Sequence, residues 1–388
     1  MTRRFTTRER RARLAARHHL AVPAGSVEEV ADSLVALHAT DPATVHLSAA
    51  ARLAEPATVE RALYEDRTVL RMLGMRRTMF VVPVALAPVV QAACSDDIAK
   101  QQRKLLLKHL ETADLDVDLD AWLADVEEGT LAALKAAGSA QAAQIADGEP
   151  RLRTKIVVAQ GKPYEATGYI TNRVLLLLAA RGLIVRGRPR GTWLSTQYEW
   201  ATAESWLDGG IAAIPANEAR AELARRWLRA FGPAPLADLK WWTGWTAGQV
   251  KKALAVVGPV EVDVDGVAGI VLADDLEPVP EPEPTARLLP ALDPTPMGWV
   301  ERDWYLGTHQ QPLFDRTGNI GPTVWWDGRI VGGWIQRADG EIAYRTLEDV
   351  GADAEAAIGA EAARLQQWLG PVRAVPKFRT PLERELAS

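Results

Sequence analysis

Gly232-Pro233-Ala234-Pro235-Leu236-Ala237-Asp238-Leu239-Lys240-Trp241-Trp242-Thr243-Gly244-Trp245-Thr246 reads as the end of one helix, a short second helix and a tight turn. The prolines stop the arriving helix, because proline lacks the N–H that continues the ladder. Leu236 to Trp242 has the apolar spacing of a short helix, and Thr243-Gly244-Trp245 supplies the turn. Thr246 can cap a third helix running through Gln249, Val250, Lys251, Lys252, Ala253 and Leu254. Two apolar runs follow, Val260 to Val264 and Ala268 to Leu272, joined at Asp265-Gly266 as a hairpin. Helix, turn, helix and two-stranded wing is an order used to bind nucleic acid.

Units of similar order lie upstream. Residues 6–53 read as helices, with capping-box patterns at Thr6-Thr7-Arg8-Glu9 and Ser26-Val27-Glu28-Glu29. The second of these should end near His38, because Asp41 precedes Pro42 and is biased toward extended backbone. Further helices are expected at about 43–53 and 57–65. Val69 to Leu73 and Thr78 to Val82, around Gly74-Met75-Arg76-Arg77, then form a first hairpin. A second unit has helices near 84–110, 119–136 and 139–146, an irregular stretch over 148–168, and an apolar helix from Thr171 to Ala180. Leu183 to Arg186 and Thr192 to Ser195 are its expected strands, around the basic tip Gly187-Arg188-Pro189-Arg190-Gly191.

Beyond the Pro/Glu run over 276–285, a stiff extended linker, the pattern turns mostly to β. Thr323 to Trp326, the turn Asp327-Gly328 and Arg329 to Trp334 give a strong hairpin signal. Ile342 to Tyr344 extends it, and a helix at 353–368 and a strand near 371–376 close the chain. The expected class is α+β, mainly α, with tandem winged-helix units followed by a C-terminal β-rich domain. The expected boundaries are 1–83, 84–210, 211–275 and 276–388.

The chain has 388 residues, is 48% hydrophobic and 24% charged, and carries a net charge of −5. That is the composition of an ordinary globular protein. No apolar run approaches the roughly 20 residues of a membrane span, and the charged start lacks the apolar core of a secretion signal. Both suggest a cytoplasmic protein without a membrane partner. A single cysteine excludes an internal disulfide and a cysteine-rich zinc site. Basic residues are segregated. Seven arginines fall within residues 1–20 against one acid, Glu9, and Arg181, Arg186, Arg188 and Arg190 fall within ten residues without one. Such clusters make either a basic binding face or simply solvated helix surfaces. Most of the 14 tryptophans are expected in the core.

No phosphate loop, dinucleotide fingerprint, zinc-protease motif or nucleophile elbow is present, and no cofactor is expected. His38 and His46, with Asp41, are too loosely spaced to argue for a metal. The stretch that stands out is Leu37-His38-Ala39-Thr40-Asp41-Pro42. In the extended backbone before Pro42, His38 and Thr40 point the same way and can hold one water. Equally, His38 can cap a helix C-terminus while Thr40 or Asp41 caps the next helix.

That stretch, followed by Ala51-Arg52-Leu53, is joined by Met75-Arg76-Arg77-Thr78-Met79-Phe80-Val81-Val82-Pro83 and by Phe231-Gly232-Pro233-Ala234 with Asp238 and Trp242. Leu288-Leu289-Pro290-Ala291-Leu292-Asp293 and Pro322-Thr323-Val324 with Asp327-Gly328-Arg329-Ile330-Val331-Gly332 complete the set. On these motifs the chain resembles the bacterial winged-helix DNA glycosylases of the AlkZ/YcaQ type, linked to unhooking interstrand crosslinks. The resemblance implies a basic channel for duplex DNA and a catalytic Gln-x-Gln or Gln-x-Asp, in whose place this chain has His38-x-Thr40. It makes His38, Thr40 and Asp41 the candidate catalytic residues. Arg52, Arg76, Arg77, Thr78, Arg186, Arg188 and Arg190 are the candidate DNA contacts. The expected activity is hydrolysis of the N-glycosidic bond of bulky or crosslinked alkylpurines in double-stranded DNA. A non-catalytic winged-helix DNA-binding protein is the alternative, and a protein-interaction module a third. No dimerisation heptads are present, so a monomer is expected.

Overall fold

The computed structural model describes residues 2–54, 58–376 and 379–388. The helix Ala216–Phe231 ends at Gly232, the helix Leu236–Thr243 follows, and Gly244 turns the chain with φ 73°. Thr246 and Gln249 form a reciprocal capping box that opens the helix Ala247–Val257, and Gly258 closes it in the left-handed region. Strands Val260–Val264 and Val267–Val271 pair antiparallel about Asp265-Gly266, with φ of 52° and 88°, as a tight hairpin of this sequence requires.

This hairpin has a third strand that the sequence did not announce. Arg4–Phe5 pairs parallel with Asp263 and Val264, and Phe5 is fully buried against Val262, Val264 and Val271. The helix Thr7–Arg17 follows it onto the same unit, where Arg13 and Arg17 both reach Asp275. The first residues of the chain therefore pack with the 216–275 region, although their sequence position suggested the first unit.

In the first unit the helix Val27–Ser33 stops well short of His38. Val35 takes φ 64°, which ends the helix, and Leu37–His38 continues as a strand. It pairs with Thr78–Pro83, which pairs in turn with Val69–Gly74, in the order Leu37–His38, Thr78–Pro83, Val69–Gly74.

The second unit packs helices Asp96–Leu110, Leu119–Ala137, Ala142–Gly148 and Thr171–Ala180 around Val174, Leu175, Leu177 and Leu178, each at most 1% exposed. The stretch expected to be irregular contains a hairpin, Lys155–Val158 with Ala166–Tyr169. Ile184–Pro189 pairs with Tyr198–Thr202, so the second strand lies beyond the Thr192–Ser195 segment expected to form it. Thr192–Ser195 turns instead, and Trp193 leaves the sheet to stack on His46 at 4.4 Å and to lie 6.3 Å from Trp368.

The C-terminal region is a four-stranded antiparallel sheet in the order Ala286–Leu289, Thr323–Trp326, Arg329–Gln336, Ile342–Thr346. The helices Ala352–Leu369 and Pro381–Ala387 pack on it. The second helix was not expected, and no strand forms over 371–376. A Cβ on Gly332 would lie 2.1 Å from the Arg345 carbonyl oxygen across the ladder. Backbone cannot yield there as a flexible side chain would. Gly332→Ala is expected to lower unfolding stability by about 2–3 kcal/mol, read from the urea midpoint; an unchanged midpoint would sink the argument.

One hydrophobic cluster runs through several of these regions, joining Leu14, Met72, Phe80, Trp227, Trp242, Trp299 and Trp325. Trp299, 2% exposed, is edge-on to Phe231 at 5.2 Å and to Trp304 at 5.0 Å. Contacts of this geometry add about 1 kcal/mol each beyond burial. The shared core fixes the first hairpin against the Leu236–Thr243 helix: a Cβ on Gly244 would lie 3.1 Å from Cγ of Arg76.

Candidate active site and nucleic-acid interface

His38 stands opposite Phe80 in the first sheet, and Ala39 continues the ladder by donating to the Met79 carbonyl at 2.8 Å. The imidazole meets the Phe80 ring edge-on at 5.6 Å and is 7% exposed. Its Nδ1 is enclosed without a hydrogen-bond partner. Burial, and secondarily the Arg76 guanidinium, pushes the His38 pKa down to about 3, so the ring is neutral at neutral pH. Thr40, two residues on, is exposed. It lies in the bend just beyond the two-residue strand Leu37–His38.

Asp41 has a different task. Its carboxylate accepts from the Ala43 N–H at 2.9 Å and caps the helix Pro42–Ala50, with Pro42 in the first turn where its missing N–H costs nothing. Burial raises its pKa against that hydrogen bond. Of the three candidate catalytic residues, the structure places His38 at the end of a two-residue strand, Thr40 in the bend that follows it, and Asp41 at the N-cap of the next helix. Between His38 and Thr40, the Ala39 carbonyl accepts from Nη1 of Arg71 at 3.1 Å. Arg71 is 3% exposed and lies 5.0 Å from the Tyr198 ring. Sequence reading did not single it out.

The candidate DNA contacts divide sharply. Arg52 is no contact. It is fully buried and holds Asp293 through two nitrogens, at 2.8 and 2.6 Å, while also donating to the His18 and Ser48 carbonyls and to Thr295. A guanidinium so satisfied has no donor left for phosphate. Arg76 and Arg77 form the tip of the first hairpin, both at positive φ, with Thr78 directly after. Arg77 is exposed, whereas Arg76 lies 3.9 Å over the Trp241 ring. Arg186 is half-buried between Tyr198 and Trp200, 5.3 Å from each. Arg188 is exposed but paired with Glu60 and Glu65 at 3.4 and 3.1 Å. Arg190 is exposed, and among the described residues its side chain has no ion-pair partner.

The N-terminal arginine cluster is largely internal. Arg3 pairs with Glu9, Arg8 with Glu281, Arg13 and Arg17 with Asp275, and Arg11 donates to the Trp304 carbonyl. A basic run in sequence is here mostly the glue between the first helix and the 260–305 region. Arg4 and Arg8 stay exposed, and a further exposed basic row lies elsewhere: Lys100, Lys104 and Lys108 stand at i, i+4, i+8 on the helix Asp96–Leu110. That spacing puts them on one face and was readable from the sequence. A cleft of about 650 Å³ lies between this helix, the hairpin tip and the Thr243–Thr246 turn, lined by Arg76, Arg77, Lys100, Gln101, Thr246 and Gln249 among others.

Among the described residues, no group of three or more His, Cys, Asp or Glu side chains is placed to hold a metal ion. His46 is 5% exposed and stacked on Trp193. Nor, among the described residues, is any helix long and apolar enough to cross a membrane.

Comparison with known proteins bears on this arrangement. The family model for AlkZ-like DNA glycosylases matches residues 31–368. A curated relative, the interstrand DNA cross-link repair glycosylase of Streptomyces sahachiroi, is 28% identical over 215 residues, which is 52% of this chain and 57% of the relative. The chain thus matches a little over half the length of that relative. The solved structure of the Streptomyces sahachiroi DNA glycosylase AlkZ superposes with a TM-score of 0.73 at 22% identity, covering 96% of this chain and 99% of that one; this likeness is one of fold. Because the family model spans most of the sequence, including the His38 strand, the hairpin tip and the C-terminal sheet, the chain belongs to the AlkZ-like DNA glycosylase family.

Proposed function

We propose that the protein is a monofunctional DNA glycosylase that hydrolyses the N-glycosidic bond of bulky or crosslinked alkylpurines in duplex DNA. The observation that carries this reading is the placement of His38 on a strand whose sheet ends in the Arg76-Arg77 tip, beside a cleft with basic residues in its lining, with Thr40 exposed two residues further on. Three helix–hairpin units within 1–83, 84–210 and 211–275 act as tandem winged helices, the third completed by Arg4–Phe5 and the Thr7–Arg17 helix. The region 276–388 forms the β-rich domain.

Alkylation at N7 or N3 makes a purine a cationic leaving group, so its departure needs no strong general acid. What remains is to place a water on the far face of the oxocarbenium-like sugar and to accept its developing charge. A ring whose conjugate acid has a pKa of about 3 is a weak base. His38 therefore acts as a neutral hydrogen-bond acceptor that holds the water, with the Thr40 hydroxyl orienting it, and full proton transfer follows bond cleavage. Glutamine, which the resemblance implies at this position, is also a neutral acceptor.

Base release from duplex carrying N7-alkylguanine, scored as alkali-labile sites, is expected to fall about 100-fold in His38→Ala and to be partly retained in His38→Gln. Its rate should show no inflection near pH 6.5, because His38 stays neutral throughout. A wild-type protein that binds the duplex and releases no base favours the second reading, a DNA-binding relative without the chemistry. The low basicity of His38 is the observation on that side.

A further inference from the structure

Trp241 carries two guanidinium groups. Arg76 lies 3.9 Å from its ring centroid and Arg302 5.1 Å, with Arg302 also 5.2 Å from Phe314. The Nε of each is enclosed with no hydrogen-bond partner. No carboxylate among the described residues forms an ion pair with either, whereas Asp97, which lines the adjoining cleft, is already held by Arg220 at 2.8 Å and Lys100 at 3.4 Å. Two like charges beside one ring, without counter-ion, are unfavourable in the free protein. Arg76 registers this directly: burial and then Arg302 push its pKa down to about 10. It also sits at φ 54°, a left-handed backbone that a non-glycine residue adopts at a cost. Such an arrangement suits an anion that arrives with the ligand.

We propose that Arg76 and Arg302 clamp a phosphodiester of the DNA strand whose nucleotide is presented to His38, with Trp241 as the aromatic floor beneath them. The inference rests on the reading of the chain as a DNA-acting protein and names the contact that positions the strand. A guanidinium fork matches phosphate oxygens in geometry as well as charge. A cationic alkylpurine would be repelled from the same spot, so the clamp takes backbone and leaves the base to His38 and Thr40. The sheet register gives the proximity: His38 pairs with Phe80, and the same strand begins at Thr78, directly after the Arg76-Arg77 tip.

The test uses duplexes with an N7-alkylguanine and a single uncharged methylphosphonate, placed in turn at each phosphate flanking the lesion. Wild type, Arg76→Gln, Arg302→Gln and Arg302→Lys are compared by binding and by base release. In wild type, one methylphosphonate position should weaken binding at least about tenfold. Each Gln variant should lose a similar factor on the unmodified duplex, and the same methylphosphonate should then add less than about twofold. Arg302→Lys keeps the charge without the fork, should retain the salt dependence while losing part of the affinity, and carries the test if a Gln variant does not fold. Wild-type affinity in both Gln variants overturns the clamp. So do equal methylphosphonate penalties in wild type and variants at every position, and so does a duplex that is not bound at all. The glycosylase reading is scored apart. A methylphosphonate signature without abasic sites ends that reading and leaves the clamp, and abasic sites without the signature do the reverse.

Discussion

Alanine in place of Arg52 is expected to lower unfolding stability by about 3–5 kcal/mol, enough to unfold a protein of ordinary marginal stability. Arg52 and Asp293 are both fully buried, and the pair is bidentate. Removing the guanidinium leaves the Asp293 carboxylate in a closed site with only the Ser48 hydroxyl and the Thr295 N–H as donors. It also strips the His18 and Ser48 carbonyls and the Thr295 hydroxyl of a donor. The loss is topological as well, because the one side chain ties the end of the Pro42–Ala50 helix to the chain at His18 and to the 293–295 turn. Replacing both partners at once, as Arg52→Met with Asp293→Leu, should recover much of the loss, since no charge is then stranded. Urea unfolding of the two single variants and the double variant measures this. An Arg52→Ala protein with a near-wild-type midpoint would refute the argument. One that stayed folded but lost only DNA affinity would restore Arg52 to the interface.

Arg52 also shows why part of the site was not legible. Its sequence neighbours, in Ala51-Arg52-Leu53, match a family motif and suggest a basic contact. The acid that neutralises it is 241 residues away. Arg302 fails in the opposite direction, since nothing local marks it and only the fold brings it to Trp241. The third unit, by contrast, could be read closely because each boundary has its own strong local signal: the Thr246–Gln249 capping box, the left-handed Gly244 and Gly258, and the Asp265-Gly266 turn. The Arg4–Phe5 strand has none, being two residues added to a hairpin at the far end of the chain. The Pro381–Ala387 helix did carry a signal, Thr380 with Glu383 as a capping box and Pro381 in the first turn, and reading a strand over 371–376 obscured it. The extended backbone at Asp41 before Pro42 was legible in the sequence, and the structure shows it. That Asp41 caps the next helix was open in the sequence, and the 2.9 Å contact to Ala43 decides it.

Acid should destabilise the protein well above the pH at which ordinary carboxylates titrate. His18, His38 and His46 are at most 7% exposed, and burial drives all three pKa values below 6.5, to about 3 for His38 and His46. The unfolded chain takes up these protons near pH 6.5 and the folded one does not, so stability falls as pH drops below about 6.5 and continues to fall toward pH 3. Each such histidine contributes a slope of about 1.4 kcal/mol per pH unit once the unfolded form is protonated. Three together give about 4 kcal/mol per unit, which brings unfolding near pH 5 for a protein of ordinary stability. Asp41, Asp238 and Glu383 act the other way. Burial raises their pKa values, so their protonation favours the folded state, but only once pH enters the carboxylate range. The window from pH 6.5 to 5 therefore belongs to the histidines. Urea midpoints measured across it should decline steeply in wild type. His46→Phe, which keeps a ring against Trp193, should remove about one proton from the slope. Flat stability between pH 7 and 5 would mean that these rings are hydrated or charged in the folded protein, and would also remove the neutral acceptor on which the role of His38 depends.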